Sequence, residues 1–109
     1  METIEQVLHS HHFLAIGEQN PKVKQLKGIL SNSKPNPHKL FVAEGIWILK
    51  MCEQFKTPID SLFLCPEHIR TSEAAALADK LTARAENLYT VSAKTYEKLS
   101  ERDRPDGLM

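Results

Sequence analysis

The chain of 109 residues is short of the residues on which several functional classes depend. Its two cysteines, Cys52 and Cys65, show no Cys-x-x-Cys spacing, which excludes a pair of thiolate metal half-sites, and their apolar setting suits reduced thiols better than a disulfide scaffold. Both sit in apolar stretches, a pattern that suits buried, reduced thiols and a cytoplasmic setting. Four glycines, at 17, 28, 45 and 107, are too scattered to form a loop that cradles a nucleotide phosphate. No run approaches the roughly 18 apolar residues that a membrane span needs, and no basic-then-apolar secretory signal opens the chain. Net charge is missing too, since 14 basic side chains balance 14 acidic ones.

What is present is globular: 41% of residues are hydrophobic and 26% charged. At this length one domain with one core is expected, burying roughly two-thirds of the unfolded chain's surface. The neutral total hides an uneven distribution. No acid occurs between Asn20 and Ala43, whereas Lys22, Lys24, Lys27, Lys34, His38 and Lys39 all fall there. Such a stretch is a candidate anion-facing surface; the plainer alternative is a solvated helix face.

Periodicity supplies the elements. A short helix is expected from Glu2 to about His9. Asn20 as cap and Pro21 as first helical residue open a second, with Val23, Leu26, Ile29 and Leu30 in one sector. Residues 32–38 (NSKPNPH) read as an exposed turn. Leu40–Ala43 reads as a strand that turns at Glu44-Gly45 into a very apolar helix from Ile46 to about Phe55, with Trp47 in the core. Ile59–Cys65 is a second strand, Ser72–Ala85 a helix, and Leu88–Val91 a third strand. Ser92 then caps a last helix that turns Tyr96 and Leu99 inward. Strands alternating with helices predict an α/β fold: a three-layer α/β/α sandwich around a mostly parallel, mixed sheet. Beyond the polar segment 101–107, Leu108-Met109 reads as the first step of another strand, so the chain is expected to be cut at a domain boundary.

Three segments then form a familiar order: Asn20-Pro21-Lys22-Val23-Lys24, Phe41-Val42-Ala43-Glu44-Gly45, and Leu99-Ser100 followed by Arg104-Pro105-Asp106-Gly107-Leu108. Together they resemble the N-terminal substrate-binding domain of the SpoU, or TrmH-type, RNA 2′-O-ribose methyltransferases of the SPOUT superfamily. The resemblance implies a ribosomal-protein-like sandwich that binds structured RNA, ribosomal or transfer. It also implies a separate C-terminal domain that binds S-adenosylmethionine, performs the methyl transfer and forms a homodimer. Residues 1–19 would be an N-terminal extension, 20–101 the RNA-binding domain, and 102–109 the linker into the catalytic domain. Where family members carry an arginine-rich stretch, this chain has Lys34, His38 and Lys39; where many carry glutamine before the last glycine, it has Asp106.

These residues offer RNA contact and no chemistry of their own. Catalytic, cofactor and metal residues are expected to be absent here, S-adenosylmethionine belonging to the C-terminal domain, and the isolated domain is expected to be monomeric. Phosphate contacts are expected from Lys22, Lys24, Lys27, Lys34, His38 and Lys39, with Arg102 and Arg104 as a second set near the junction. His9, His11 and His12 lack carboxylate or thiolate neighbours at ligand spacing. Glu44 is expected to interact with the helix dipole in a structural role, and Gly45 to permit close backbone approach. Two other readings stand beside this one: a free-standing RNA-binding protein of the same fold, and a module that docks on a protein through the apolar helix 46–55.

Overall fold

A computed structural model describes residues 3–31, 40–100 and 105–109. Each helix begins where a side chain can accept from free backbone N–H groups. Helix α1 (Ile4–Ser10) starts at a reciprocal capping box, Thr3 Oγ1 accepting from Gln6 N while Gln6 Oε1 accepts from Thr3 N. In α2 (Pro21–Ser31), Asn20 Oδ1 accepts from Lys22 N at 2.9 Å. Helix α3 (Ile46–Gln54) is capped from far away in sequence: Ile46 N donates to Asp106 Oδ2 at 2.9 Å. Thr71 and Ser92 cap α4 (Ser72–Thr82) and α5 (Ala93–Leu99) through Ala74 N and Thr95 N.

Three strands, β1 (Leu14–Ala15), β2 (Ile59–Leu64) and β3 (Ala85–Thr90), form a parallel sheet in the order β1-β3-β2. Residues 107–109 then run antiparallel along the outer edge of β2. Phe63 and Met109 exchange both backbone hydrogen bonds, at 2.8 and 3.0 Å, and Cys65 N donates to Gly107 O. The three strands are thus parallel throughout, as the helix–strand alternation predicts, and this short antiparallel bridge at the edge is the one mixed feature among the described residues.

Both faces of the sheet are covered, and β2 shows this in its alternation. Leu62 and Leu64 enter one apolar cluster, with α1, α3 and α4; Phe63 and Cys65 enter the other, with α2 and α5. Tyr89 and Val91 join the second cluster, Leu88 the rim of the first. Residues expected as an N-terminal extension contribute directly: Ile4 and Val7 are buried against α4, and Leu14–Ala15 supplies the edge strand. Pro105, Gly107, Leu108 and Met109, expected as a linker, are buried as well. Among the described residues no helix is long and apolar enough to cross a membrane.

Several local expectations are corrected. Residues 40–43 form no strand; the edge positions beside Phe63 and Cys65 are occupied by Met109 and Gly107. The third parallel strand is Leu14–Ala15, too short to show a period. Helix α4 stops at Thr82, and Ala85 opens β3, earlier than the expected Leu88. Leu30 and Trp47, both expected inward, are 39% and 75% exposed. Helix α3 lies on the sheet with one side only, because nothing in the described fold covers its outer sector.

Candidate nucleic-acid interface

Two of the three segments that carried the family resemblance, around Glu44-Gly45 and at Leu99-Ser100 with Asp106–Leu108, meet at one place, and their work there is structural. Tyr96 is completely buried, its Oη 3.0 Å from Glu44 Oε2 and 3.1 Å from the Leu108 carbonyl, both acceptors. Ser100 Oγ donates a short bond of 2.5 Å to the same Glu44 oxygen. Burial, and then the Glu44 carboxylate, push the Tyr96 hydroxyl far above the usual phenol range, so it stays a donor at all working pH values. Gly45 N donates to Leu108 O, and Gly45 adopts φ 101°, a region that favours glycine. Asp106, the departure from the family pattern, closes the same junction by capping α3. Glu44 thus has the structural role expected of it, though held by hydroxyl donors.

The expected RNA-binding residues divide in two. Lys34, His38, Lys39, Arg102 and Arg104 lie outside the described residues. Lys22, Lys24 and Lys27 share helix α2, whose apolar side (Val23, Leu26) rests on the sheet, so the ammonium groups are carried at the flank and outward. Lys24 is exposed and has no partner among the described residues. Lys22 Nζ lies 3.5 Å from Asp60 Oδ2, and Lys27 Nζ 3.1 Å from Glu18 Oε1. These pairs are about a third or more exposed, where an ion pair is weak and yields to a competing anion.

Helix α5, packed beside α2, brings a cation the sequence reading did not include. Lys98 Nζ donates to the second oxygen of Glu18 at 3.0 Å, so one carboxylate holds lysines from both helices. Hydrogen bonds from Lys98 and then Lys27 hold the Glu18 carboxyl below the ordinary glutamate range. Lys94 is a further exposed lysine on α5. An outward Lys94 and Lys98 follow from an inward Tyr96 and Leu99; that they stand beside α2 is a tertiary fact without a local signal.

Next to the lysines, α2, residues 40–43 and the outer edge of β2 enclose an apolar cleft of about 180 Å³, with the Lys22–Asp60 pair at its rim. That is smaller than the roughly 300–1,000 Å³ of ordinary small-molecule sites. His11 is engaged elsewhere: its Nε2 lies 2.6 Å from Asp79 Oδ1, tying the end of α1 to α4. Among the described residues no three His, Cys, Asp or Glu side chains are grouped to hold a metal.

Fold and surface together define a small α/β domain with a lysine-bearing helical face and a C-terminal strand locked to the start of α3. Residues 20–109 match the family model described as the MRM3-like substrate binding domain, and the chain belongs to that family, which is related to ribosomal-RNA methyltransferases. No curated protein and no solved structure is significantly similar to the chain.

Proposed function

We propose that this domain recognises structured RNA for an S-adenosylmethionine-dependent RNA 2′-O-ribose methyltransferase of the SpoU or TrmH type. The observation that carries the reading is the family match over residues 20–109, joined to a face on which Lys24 and Lys27 of α2 stand beside Lys98 of α5, with Lys22 on the other flank of α2 toward β2. Ammonium groups on such a face neutralise phosphates and release condensed counterions. Duplex RNA is gripped in this way by shape, through phosphates and 2′-hydroxyls, more than by base edges. Lys34, His38, Lys39, Arg102 and Arg104 would extend the surface.

In this reading methyl transfer, the methyl donor and homodimerisation belong to a second, C-terminal domain, and this domain alone is a monomer that works in the cytoplasm. The free thiols of Cys52 and Cys65 suit that compartment. The test is charge reversal of Lys24 and Lys27 to Glu, with RNA affinity measured over a range of salt. Weaker binding and a flatter salt dependence, with the circular dichroism unchanged, support the proposal; unchanged affinity removes α2 as the contact.

A further inference from the structure

Three large apolar side chains on α3 are exposed in a row. Trp47 is 75%, Met51 37% and Phe55 71% exposed, at positions i, i+4 and i+8, with Phe55 the residue that caps the C-terminal end of the helix. At about 100° per residue they share, with Lys50 and Gln54, an outward sector about 140° wide. Phe41, 74% exposed, precedes them, and Lys56 follows directly on Phe55. Lys50 is ion-paired with Glu73 of α4, and Lys56 has no ionic partner among the described residues.

Exposed residues between 41 and 56 include aromatics, a methionine, lysines and a glutamine, with no exposed carboxylate. The two acids of that stretch are occupied inward, Glu44 by Tyr96 and Ser100 and Glu53 by Arg84 at 4.0 Å. This is the composition of a surface that stacks nucleobases and attracts their phosphates. A folded protein partner fits it less well. At those exposures the three side chains offer roughly 400 Å², about half of the ~800 Å² per partner in a stable protein interface. A single base, by contrast, is covered by one aromatic ring.

We propose that the Trp47–Met51–Phe55 stripe is a second RNA contact that stacks unpaired nucleotides, while the lysine face of α2 and α5 holds the phosphates of a neighbouring helical segment. The α3 stripe belongs to the layer opposite α2 and α5, so the RNA passes around the edge of the sheet at β2. This inference rests on the RNA-binding reading and adds to it a preference for RNA with splayed or single-stranded bases.

Trp47 is the only tryptophan in the chain, so its emission reports on this stripe alone. The full chain is titrated with a short single-stranded oligouridylate and with a blunt RNA duplex, following tryptophan emission and, separately, the anisotropy of labelled RNA. The expected result is saturable quenching by the single strand. Trp47→Ala is expected to weaken single-strand binding about tenfold, and Trp47→Phe, which keeps a ring, to restore most of it, with circular dichroism unchanged in both. Binding seen by anisotropy with neither quenching nor an effect of Trp47→Ala overturns the stacking proposal and leaves the RNA reading standing. No RNA binding by either signal overturns both. A dimer formed without RNA and abolished by Trp47→Ala assigns the stripe to protein contact and also overturns it.

Discussion

Gly107 is the position where the structure makes the sharpest claim about stability. Its φ of 82° lies where an L side chain is disfavoured by about 1–2 kcal/mol. A Cβ there would meet Cys65 O at 2.7 Å, Ile69 Cγ1 at 2.8 Å and the backbone carbon of His68 at 3.2 Å. Two of those three atoms are backbone, and Cys65 also donates to Gly107 O, so the neighbours cannot retreat without breaking the pairing to β2. Forcing extra volume into such a contact costs a further ~1–3 kcal/mol. Gly107→Ala should therefore lose about 3–4 kcal/mol and lower Tm by roughly 10–25 °C. Gly17→Ala is the control, because a Cβ there meets nothing within 4 Å. Circular dichroism is the right probe, as Trp47 is already exposed in the folded state. A loss below about 4 °C in Gly107→Ala, or an equal loss in Gly17→Ala, refutes the packed C-terminal strand.

Three further outcomes are expected. Tyr96→Phe removes the hydroxyl that bonds Glu44 and Leu108 O, and should cost about 1–3 kcal/mol in chemical denaturation because a hydrogen bond to a charged carboxylate is lost, although Ser100 Oγ and Gly45 N still donate to the two acceptors. Glu18→Gln frees Lys27 and Lys98 from their shared carboxylate, and should tighten RNA binding severalfold at low salt; unchanged or weaker binding argues against the α2–α5 face. The Glu18 carboxyl should titrate by NMR below the ordinary glutamate range and move up toward it in Lys98→Met. Since its folded pKa is the lower one, its contribution to stability is present above the unfolded value and lost as pH falls through the folded value.

The parts of the fold legible in the sequence were those written in local chemistry. The Asn20-Pro21 start of α2, the Ser92 cap, the inward Tyr96 and Leu99, and the apolar strand expected over Ile59–Cys65 all match the structure, the strand ending one residue early at Leu64. The misreadings share a cause, which is that the competition for a sheet edge is decided at long range. Residues 40–43 have the composition of a strand, yet residues 107–109 occupy part of the outer edge of β2. Two residues, Leu14 and Ala15, suffice for β1 only because β3 is there to receive them. Trp47 was misplaced for a related reason: an apolar helix implies cover on several sides, but α3 lies at the periphery and keeps one sector open. At the candidate site, the lysines of α2 follow from helical period, whereas the convergence of Lys27 and Lys98 on Glu18 needs the packing of α5 beside α2.

The most direct measurement is the slope of log affinity for a structured RNA against log salt concentration, taken for the unaltered chain and for Lys24→Glu/Lys27→Glu. With six lysines (22, 24, 27, 34, 39 and 98) on phosphates the slope should be about −5, flattening by about 2 in the double variant. Equal slopes in the two proteins, or binding indifferent to salt, would contradict a lysine grip on the RNA backbone.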